Sequence, residues 1–390
     1  MKILVLSFYY APDLSAGSFR TSSLVEQLRK KDVEIDVITT QPNRYASLKS
    51  EASVFERDGN ITIQRCSLPS HKSGMIDQIV SFYSFYKQVS KLVKNKDYDL
   101  IYATSSRLFT AFLGVRIGKN KSTPVYLDVR DIFLDTLKDV LNPNLYRVLS
   151  PLLSLIEKYT FNSANHINLV SKGFKSYFQS KFNCKSYSFF TNGIDSEFLD
   201  VDFYNSGKNE NENENENKTI LYAGNMGEGQ GLHTIIPALA QQYPEYQFRM
   251  IGDGGRKQAL ISSCKGINNV QILPPIVRSD LNKEYQKADI LFLHLNDYDA
   301  FKKVLPSKLF EYGATGKPIL AGVAGYALEF CSQELSNTAV FYPGNAQDAS
   351  KALKQLSLET VERKEFIKKF QRSNIMAKLA NSIFQHGSEK

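Results

Sequence analysis

The four cysteines, Cys66, Cys184, Cys264 and Cys331, form no CxxC pair and join no His/Cys cluster. That argues against a disulfide framework or a structural zinc, and for a reducing cytoplasm. The five histidines are scattered, and neither an HExxH motif nor a carboxylate cluster suggests a metal. Long apolar runs are missing as well. The first, Ile3 to Leu6 and on towards Tyr10, stops at Pro12, far short of the roughly 20 residues a spanning helix needs. With no small-residue cleavage site after it, the run reads as a buried first strand and not as a signal peptide. A complete GxGxxG is also absent, and the glycine-rich loop of the second half lacks a GK[ST] ending, which disfavours ATP hydrolysis.

What is present fits two globular domains: 390 residues, 42% hydrophobic and 23% charged. Lys and Arg exceed Asp and Glu by 48 to 40, a net charge of +8. Such a surface suits a partner carrying phosphate: nucleic acid, an anionic membrane or a phosphorylated substrate. The positive charge is dispersed and no recognised module appears, so nucleic acid is the weakest of these.

Apolar strands are expected at 2–7, 33–39, 100–103, 124–127 and 166–170, with helical stretches between them. Short apolar strands alternating with helices imply a parallel sheet covered on both faces. The segment 205–218, NSGKNENENENENK, has no apolar residue to bury and reads as a solvated loop, either an interdomain hinge or a tolerated insertion. Strands then resume at 219–223, 247–251, 270–273, 290–295 and 317–321. The division is therefore 1–204, a first domain, which the resemblance below implies to be the acceptor-binding one; 205–218, a linker; 219–360, a second domain; and 361–390, a basic amphipathic helix. In two doubly wound halves the ligand belongs at the carboxyl ends of the strands.

Several places can carry chemistry. The loop GNMGEGQG at 224–231, holding Gly224, Asn225, Met226, Gly227 and Gln230, follows a strand and opens a helix. Its glycines allow close backbone approach, and free amides at a helix start attract anions. Gly252, Asp253 and Gly254 form a second post-strand loop, either ligand-lining or a plain turn. In VLPSKLFEYGATG at 304–316, Pro306 and Ser307 resemble a helix start. Lys308 and Glu311 share the first-turn face that follows, suited to a phosphate and to sugar hydroxyls, or else to each other. Gly17 and Arg20 flank the start of the first helix. Asp128, Arg130 and Asp131 end a strand, where a carboxylate could assist an acceptor hydroxyl or close an ion-pair network. The aromatic segment 75–96 interleaves Lys87, Lys91, Lys94 and Lys96. It reads either as an interfacial helix on an anionic membrane or as an ordinary sheet-covering helix.

With YYAPDLSAGSFR (9–20), DVRD (128–131), TNGID (191–195), LYAGNMGEGQGL (221–232), IGDGG (251–255) and PSKLFEYGATGKPI (306–319) in view, the chain resembles the retaining family-4 glycosyltransferases. It is similar to their bacterial WbuB-like branch, which builds O-antigen, capsule and colanic acid. The resemblance implies an α/β GT-B fold, two Rossmann-like doubly wound domains facing a central cleft, with the last helix crossing back to the first domain. It implies a metal-independent enzyme without cofactor, on the cytoplasmic face of the membrane. The expected partners are a nucleotide-sugar donor, with a UDP-linked N-acetyl amino sugar as the expectation, a lipid diphosphate-linked glycan acceptor and the anionic inner-membrane surface. Donor contacts would come from Gly17, Arg20, the loop residues above, Ile276, Val277, Pro306, Ser307, Lys308, Leu309 and Glu311, the last holding the ribose. Asp128 and Asn192 would lie on the acceptor side, with Asp131, Arg130 and Lys308 catalytic. Four positions depart from the family pattern: Lys303 stands for the first glutamate of Glu-x7-Glu, Asn225 and Gln230 for an Arg and a Lys on the diphosphate, and Arg130 for a histidine. A UDP-sugar 2-epimerase of the same fold, or a non-catalytic partner that only binds nucleotide sugar, are the rival readings.

Overall fold

Apolar runs without a polar face become strands covered on both sides. KILVL forms β1 (Lys2–Leu6), whose side chains from Ile3 to Leu6 are all fully buried. The computed structural model describes residues 1–43, 52–69, 75–105, 108–184, 186–203 and 218–388. It divides into two compact units, Met1–Asn192 with Arg372–Lys390, and Gly193–Gln371. The divide thus falls at 192/193 and again at 371/372, whereas composition set it at 205–218. Of that segment only residue 218 lies among the described residues.

In the first unit β1 is followed by α1 (Ala16–Arg29), β2 (Glu34–Thr40), β3 (Phe55–Asp58), β4 (Ile61–Cys66), α2 (Met75–Val93), β5 (Leu100–Thr104) and α3 (Leu108–Lys121). Then come β6 (Val125–Val129), α4 (Phe133–Val140), α5 (Pro143–Asn162), β7 (His166–Leu169), α6 (Lys175–Lys181) and β8 (Tyr187–Ser188). The sheet order is β3-β4-β2-β1-β5-β6-β7-β8, parallel except for β3, which pairs antiparallel to β4. Chain order reverses direction between β1 and β5.

The second unit runs β9 (Lys218–Asn225), α7 (Leu232–Gln242), β10 (Tyr246–Asp253), α8 (Lys257–Ser263), β11 (Val270–Leu273), α9 (Arg278–Lys287) and β12 (Ile290–His294). It continues α10 (Lys308–Thr315), β13 (Ile319–Gly322), α11 (Tyr326–Glu334), β14 (Thr338–Phe341), α12 (Ala346–Gln355) and α13 (Lys364–Phe370). Its sheet, β11-β10-β9-β12-β13-β14, is wholly parallel. Burying an apolar side chain of this size stabilises by about 1.5–3 kcal/mol, and Ile220, Tyr222, Phe248, Met250, Ile290 and Phe292 make one continuous core. Arg363 anchors the end of α10: its guanidinium donates to the carbonyls of Tyr312, Gly313, Lys317, Ser336 and Asn337.

The final basic stretch is not one helix. It breaks at Gln371, where extended backbone (ψ 122°) ends α13 and α14 (Arg372–Ser388) begins. Ile375, Met376, Leu379, Ala380 and Ile383 bury one side of α14 within the first unit, where it packs on α1. Among the described residues no helix is long and apolar enough to cross a membrane.

Candidate functional site

In the second sheet the chain winds outward from β9 in one direction and from β12 in the other. These neighbouring strands pair at Ile290 and Leu291, and the loops that follow them diverge at such a switch point, where α/β sheets bind ligands. The loop after β9 is GNMGEGQG. Gln230 and Gly231 donate their amides to the Gly227 carbonyl at 3.2 and 3.3 Å. Gly231 caps α7 in the left-handed region (φ 53°), and a Cβ there would lie 1.9 Å from Asn296 Oδ1. Only glycine fits both demands.

Asn225 and Gln230, uncharged where the family pattern has cations, bond to each other within this loop. Asn225 Nδ2 donates to Gln230 Oε1 at 2.7 Å, and the Gly227 amide reaches the same oxygen at 3.2 Å. The pair braces the turn from within. Met226 differs from its expected role as well. Its side chain is 1% exposed in the core, its amide donates to the Asp253 carbonyl and its carbonyl accepts from the Arg256 amide, both at 2.8 Å. Met226 therefore ties the first loop to the second, in which Asp253 Oδ1 accepts the Gly254 amide and Gly252 pairs with Gly224 across the strands.

Lys308 opens α10. Ser307 occupies the capping position with helical backbone (φ −60°) and makes no side-chain capping bond, so the expected cap is absent. Leu309 is fully buried and contributes packing, not a ligand contact. Lys308 lies across the glycine loop: its Cε is 2.4 Å from where a Cβ on Gly224 would sit, so a side chain there would displace the lysine, and the Gly224 backbone (φ 152°) itself favours glycine. Its Nζ is 3.9 Å from Glu311 Oε2, with 19% and 15% of the two side chains exposed. Burial pulls the Lys308 ammonium below the usual lysine range, Glu311 opposes this and Arg278 adds to it.

Arg278, at the start of α9, ion-pairs with Asp195 and, at 2.7 Å, with Glu197. Burial works against its charge, but Asp195, Glu311 and Glu197 outweigh it and hold the guanidinium above its ordinary range. Tyr285 donates to Glu311 Oε2 at 3.2 Å. Ile276 is partly exposed, and Val277, at the capping position of α9, is 49% exposed. The geometry thus gathers Gly224, Gly252, Lys308 and Glu311 at one edge of the second sheet. A cation and loop amides there can take an anion, and a carboxylate beside them can accept hydroxyl hydrogen bonds.

The first unit treats its charges otherwise. Arg20 is 0% exposed; it donates to both Asp128 oxygens at 2.8 and 2.9 Å and to the Thr191 and Phe190 carbonyls at 2.6 and 2.8 Å. Asn168 completes the cage on Asp128 at 2.7 Å. Burial pushes the Asp128 carboxyl up, but Arg20 outweighs it and holds it below its ordinary range. Arg20 is therefore not aimed at a donor anion, and Asp128 is not available to an acceptor. Each neutralises the other, as an unpaired buried charge would be very costly. Arg130 and Asp131, the next residues, are only partly buried. Arg130 Nη1 reaches the Gly17 carbonyl at 3.4 Å, and burial, with help from Arg20 and against Asp128, lowers it to about 10. Among the described residues Asp131 Oδ1 has no hydrogen-bond partner; burial raises this carboxyl to about 7, with Arg130 opposing. Asn192 is 6% exposed and its Oδ1 is likewise unpartnered.

Sequence reasoning missed Arg278, Tyr285 and the HLNDY segment after β12. The signal for the last was its position: it follows the strand that neighbours the glycine-loop strand. Among the described residues, no group of three or more His, Cys, Asp or Glu side chains could hold a metal ion.

Residues 205–373 match the family described as glycosyl transferases group 1. The chain is 24% identical over 369 residues to the putative colanic acid biosynthesis glycosyl transferase WcaI of Escherichia coli K12, covering 89% of this chain and 88% of that protein. Among solved structures, sucrose-phosphate synthase from Thermosynechococcus elongatus superposes with a TM-score of 0.77 at 13% identity, over 99% of this chain and 98% of that one. Anabaena HepE, solved with UDP and glucose, gives 0.70 at 18% identity, over 98% and 99%. The structural likenesses establish a GT-B architecture of two parallel-sheet α/β domains. The match over 205–373 makes the second unit similar to the glycosyl transferases group 1, and with the colanic acid relative it supports a glycosyltransferase activity.

Proposed function

We propose that this enzyme moves a sugar from a nucleotide donor, a UDP-linked N-acetyl amino sugar, to a lipid diphosphate-linked glycan in bacterial surface polysaccharide biosynthesis. The transfer retains anomeric configuration and uses no metal. The observation that carries the reading is Lys308 laid across Gly224 beside Glu311. Cleavage of the sugar–oxygen bond leaves its electron pair on the departing diphosphate. Prepositioned donors aimed at such charge are usually the largest catalytic contribution. Lys308 and the loop amides stabilise that charge, and Glu311 accepts from the donor ribose. In the first unit Asp131 assists the acceptor hydroxyl: a carboxyl held near 7, with one oxygen unpartnered, is poised to take up a proton. The name of the colanic acid relative and the UDP and glucose bound in HepE support the substrate classes.

A peripheral position on the cytoplasmic face of the inner membrane goes with this reading. In α2, Phe85, Val89 and Val93 are buried, while Ile79, Val80 and Tyr83 are exposed together with Lys87 and Lys91. Lys96 is not available to lipid, since it ion-pairs with Asp36 at 3.0 Å. α5 adds an exposed apolar stripe, Leu145, Val148, Leu152 and Leu155, and exposed patches of this kind mark interaction surfaces.

A thermal-shift screen of nucleotide sugars tests the donor, because a ligand that binds only the folded state raises stability. One UDP-sugar should stand out, and release of UDP should then require an acceptor. Conversion of that sugar without acceptor and without UDP release would mean an epimerase; binding without turnover would mean a non-catalytic partner.

A further inference from the structure

His294 and Asn296 make a contact set that no catalytic role has used. Three consecutive carbonyls of the glycine loop turn back onto the end of β12. Asn296 Nδ2 donates to the Glu228 carbonyl at 2.5 Å, the Asn296 amide to the Gly229 carbonyl at 2.8 Å, and His294 Nδ1 to the Gln230 carbonyl at 2.7 Å. The tautomer follows from the second ring nitrogen. His294 Nε2 accepts the Gly344 amide at 2.9 Å, so the proton sits on Nδ1. The ring is fully buried, and burial lowers it to about 4, which keeps it in this neutral form. Tyr298 completes the set by donating to Glu228 Oε1 at 2.7 Å, and Arg256 takes the other carboxylate oxygen. The loop's own carboxylate is thereby held by a cation and a hydroxyl.

A peptide unit is planar, so pinning a carbonyl on one side turns the next amide to the other. With the Glu228 carbonyl held on Asn296, the Gly229 amide points away from β12. Among the described residues the Glu228 and Gly229 amides donate to no acceptor, nor do those of Leu232 and His233 in the first turn of α7. Unpaired amides converging at a helix start are what an anion takes up.

We propose that His294 and Asn296 are positioning residues: they hold the carbonyls of 228–230 against β12 so that the loop presents its free amides to the donor diphosphate. This rests on reading the glycine loop as the diphosphate site. The loop has no Arg or Lys of its own between 224 and 231, so the orientation of its amides carries a larger share of the binding.

The test is calorimetric titration of the full chain with UDP, and with inorganic pyrophosphate as the bare anion, for Asn296→Ala, His294→Ala, His294→Asn and Lys308→Ala. Asn296→Ala and His294→Ala should each weaken both probes by about tenfold. His294→Asn, which keeps a donor near the Nδ1 position, should restore most of the loss, a rescue that a packing role alone would not give. If His294→Ala does not fold, Asn296→Ala and His294→Asn decide the matter. Wild-type affinity in Asn296→Ala with weak binding in Lys308→Ala overturns the clamp and leaves the anion site standing. Wild-type affinity in Lys308→Ala as well removes the site, and the clamp with it.

Discussion

Both units set a cation beside a carboxylate at the carboxyl ends of parallel strands, yet they treat the pair in opposite ways. Arg20 and Asp128 are sealed, bidentate and caged by Asn168 and two carbonyls. Lys308 and Glu311 stand 3.9 Å apart, partly exposed, over a glycine backbone. A pair sealed from solvent and bonded to each other and to backbone carbonyls is out of a ligand's reach and serves the fold. A loose pair against bare backbone keeps its donors and acceptors available. The difference lies in exposure and saturation, not in residue type.

Four experiments break or sharpen this contrast, taken from the largest expected effect to the smallest. Arg20→Ala leaves Asp128 buried and uncompensated, which should cost about 3–5 kcal/mol of stability in a denaturant titration. Lys308→Ala should cost less stability than Arg20→Ala, because its pair is looser and keeps some exposure, while lowering kcat by about 100- to 1000-fold. Little change in stability for Arg20→Ala, or unchanged kcat for Lys308→Ala, would erase the distinction.

The third concerns acid. Burial lowers both His166 of the first unit and His294 of the second from 6.5 to about 4. Between those values the unfolded chain binds more protons than the folded one. The stability contribution is therefore complete above pH 6.5 and lost as pH falls towards 4, by about 2–3 kcal/mol per histidine. Thermal melts across this range should fall on acidification and flatten in His166→Asn and His294→Asn. The smallest effect belongs to Asp131, whose carboxyl burial raises from 3.8 to about 7. Here the folded chain binds more protons, so stability is present at low pH and lost as pH rises through 7. Asp131→Asn should be more stable than the wild type at pH 8, by roughly 1–2 kcal/mol given its partial exposure, and equal to it at pH 4. A gain at both pH values would deny the carboxylate its cost.

Ten strands of the two sheets were legible because each is a short continuous apolar run, whereas the short β8 and β14 were not expected. The hairpin of β3 and β4 was not: FERD and ITIQRC carry charged and polar residues on partly exposed edge backbone, so no burial pattern marks them. Nor was the exposed stripe of α5, because apolar residues at helical spacing carry no mark of whether another element covers them. Within the site, Gly224 and Lys308 announced themselves through local chemistry. His294 and Asn296 did not, because their partners lie more than 60 residues away in sequence.

What the sequence alone determined is what acts over short range: strand and helix periodicity, glycine where backbone must bend or approach, and a lysine at the start of a helix. Only the tertiary structure decided which charges are sealed and which stay open. Arg20 and Lys308 look alike as cations near helix starts, and only the fold brings Asp128, 108 residues away, against the one and Gly224, 84 residues away, beneath the other. Burial and saturation belong to neighbours that the chain brings together only when it closes.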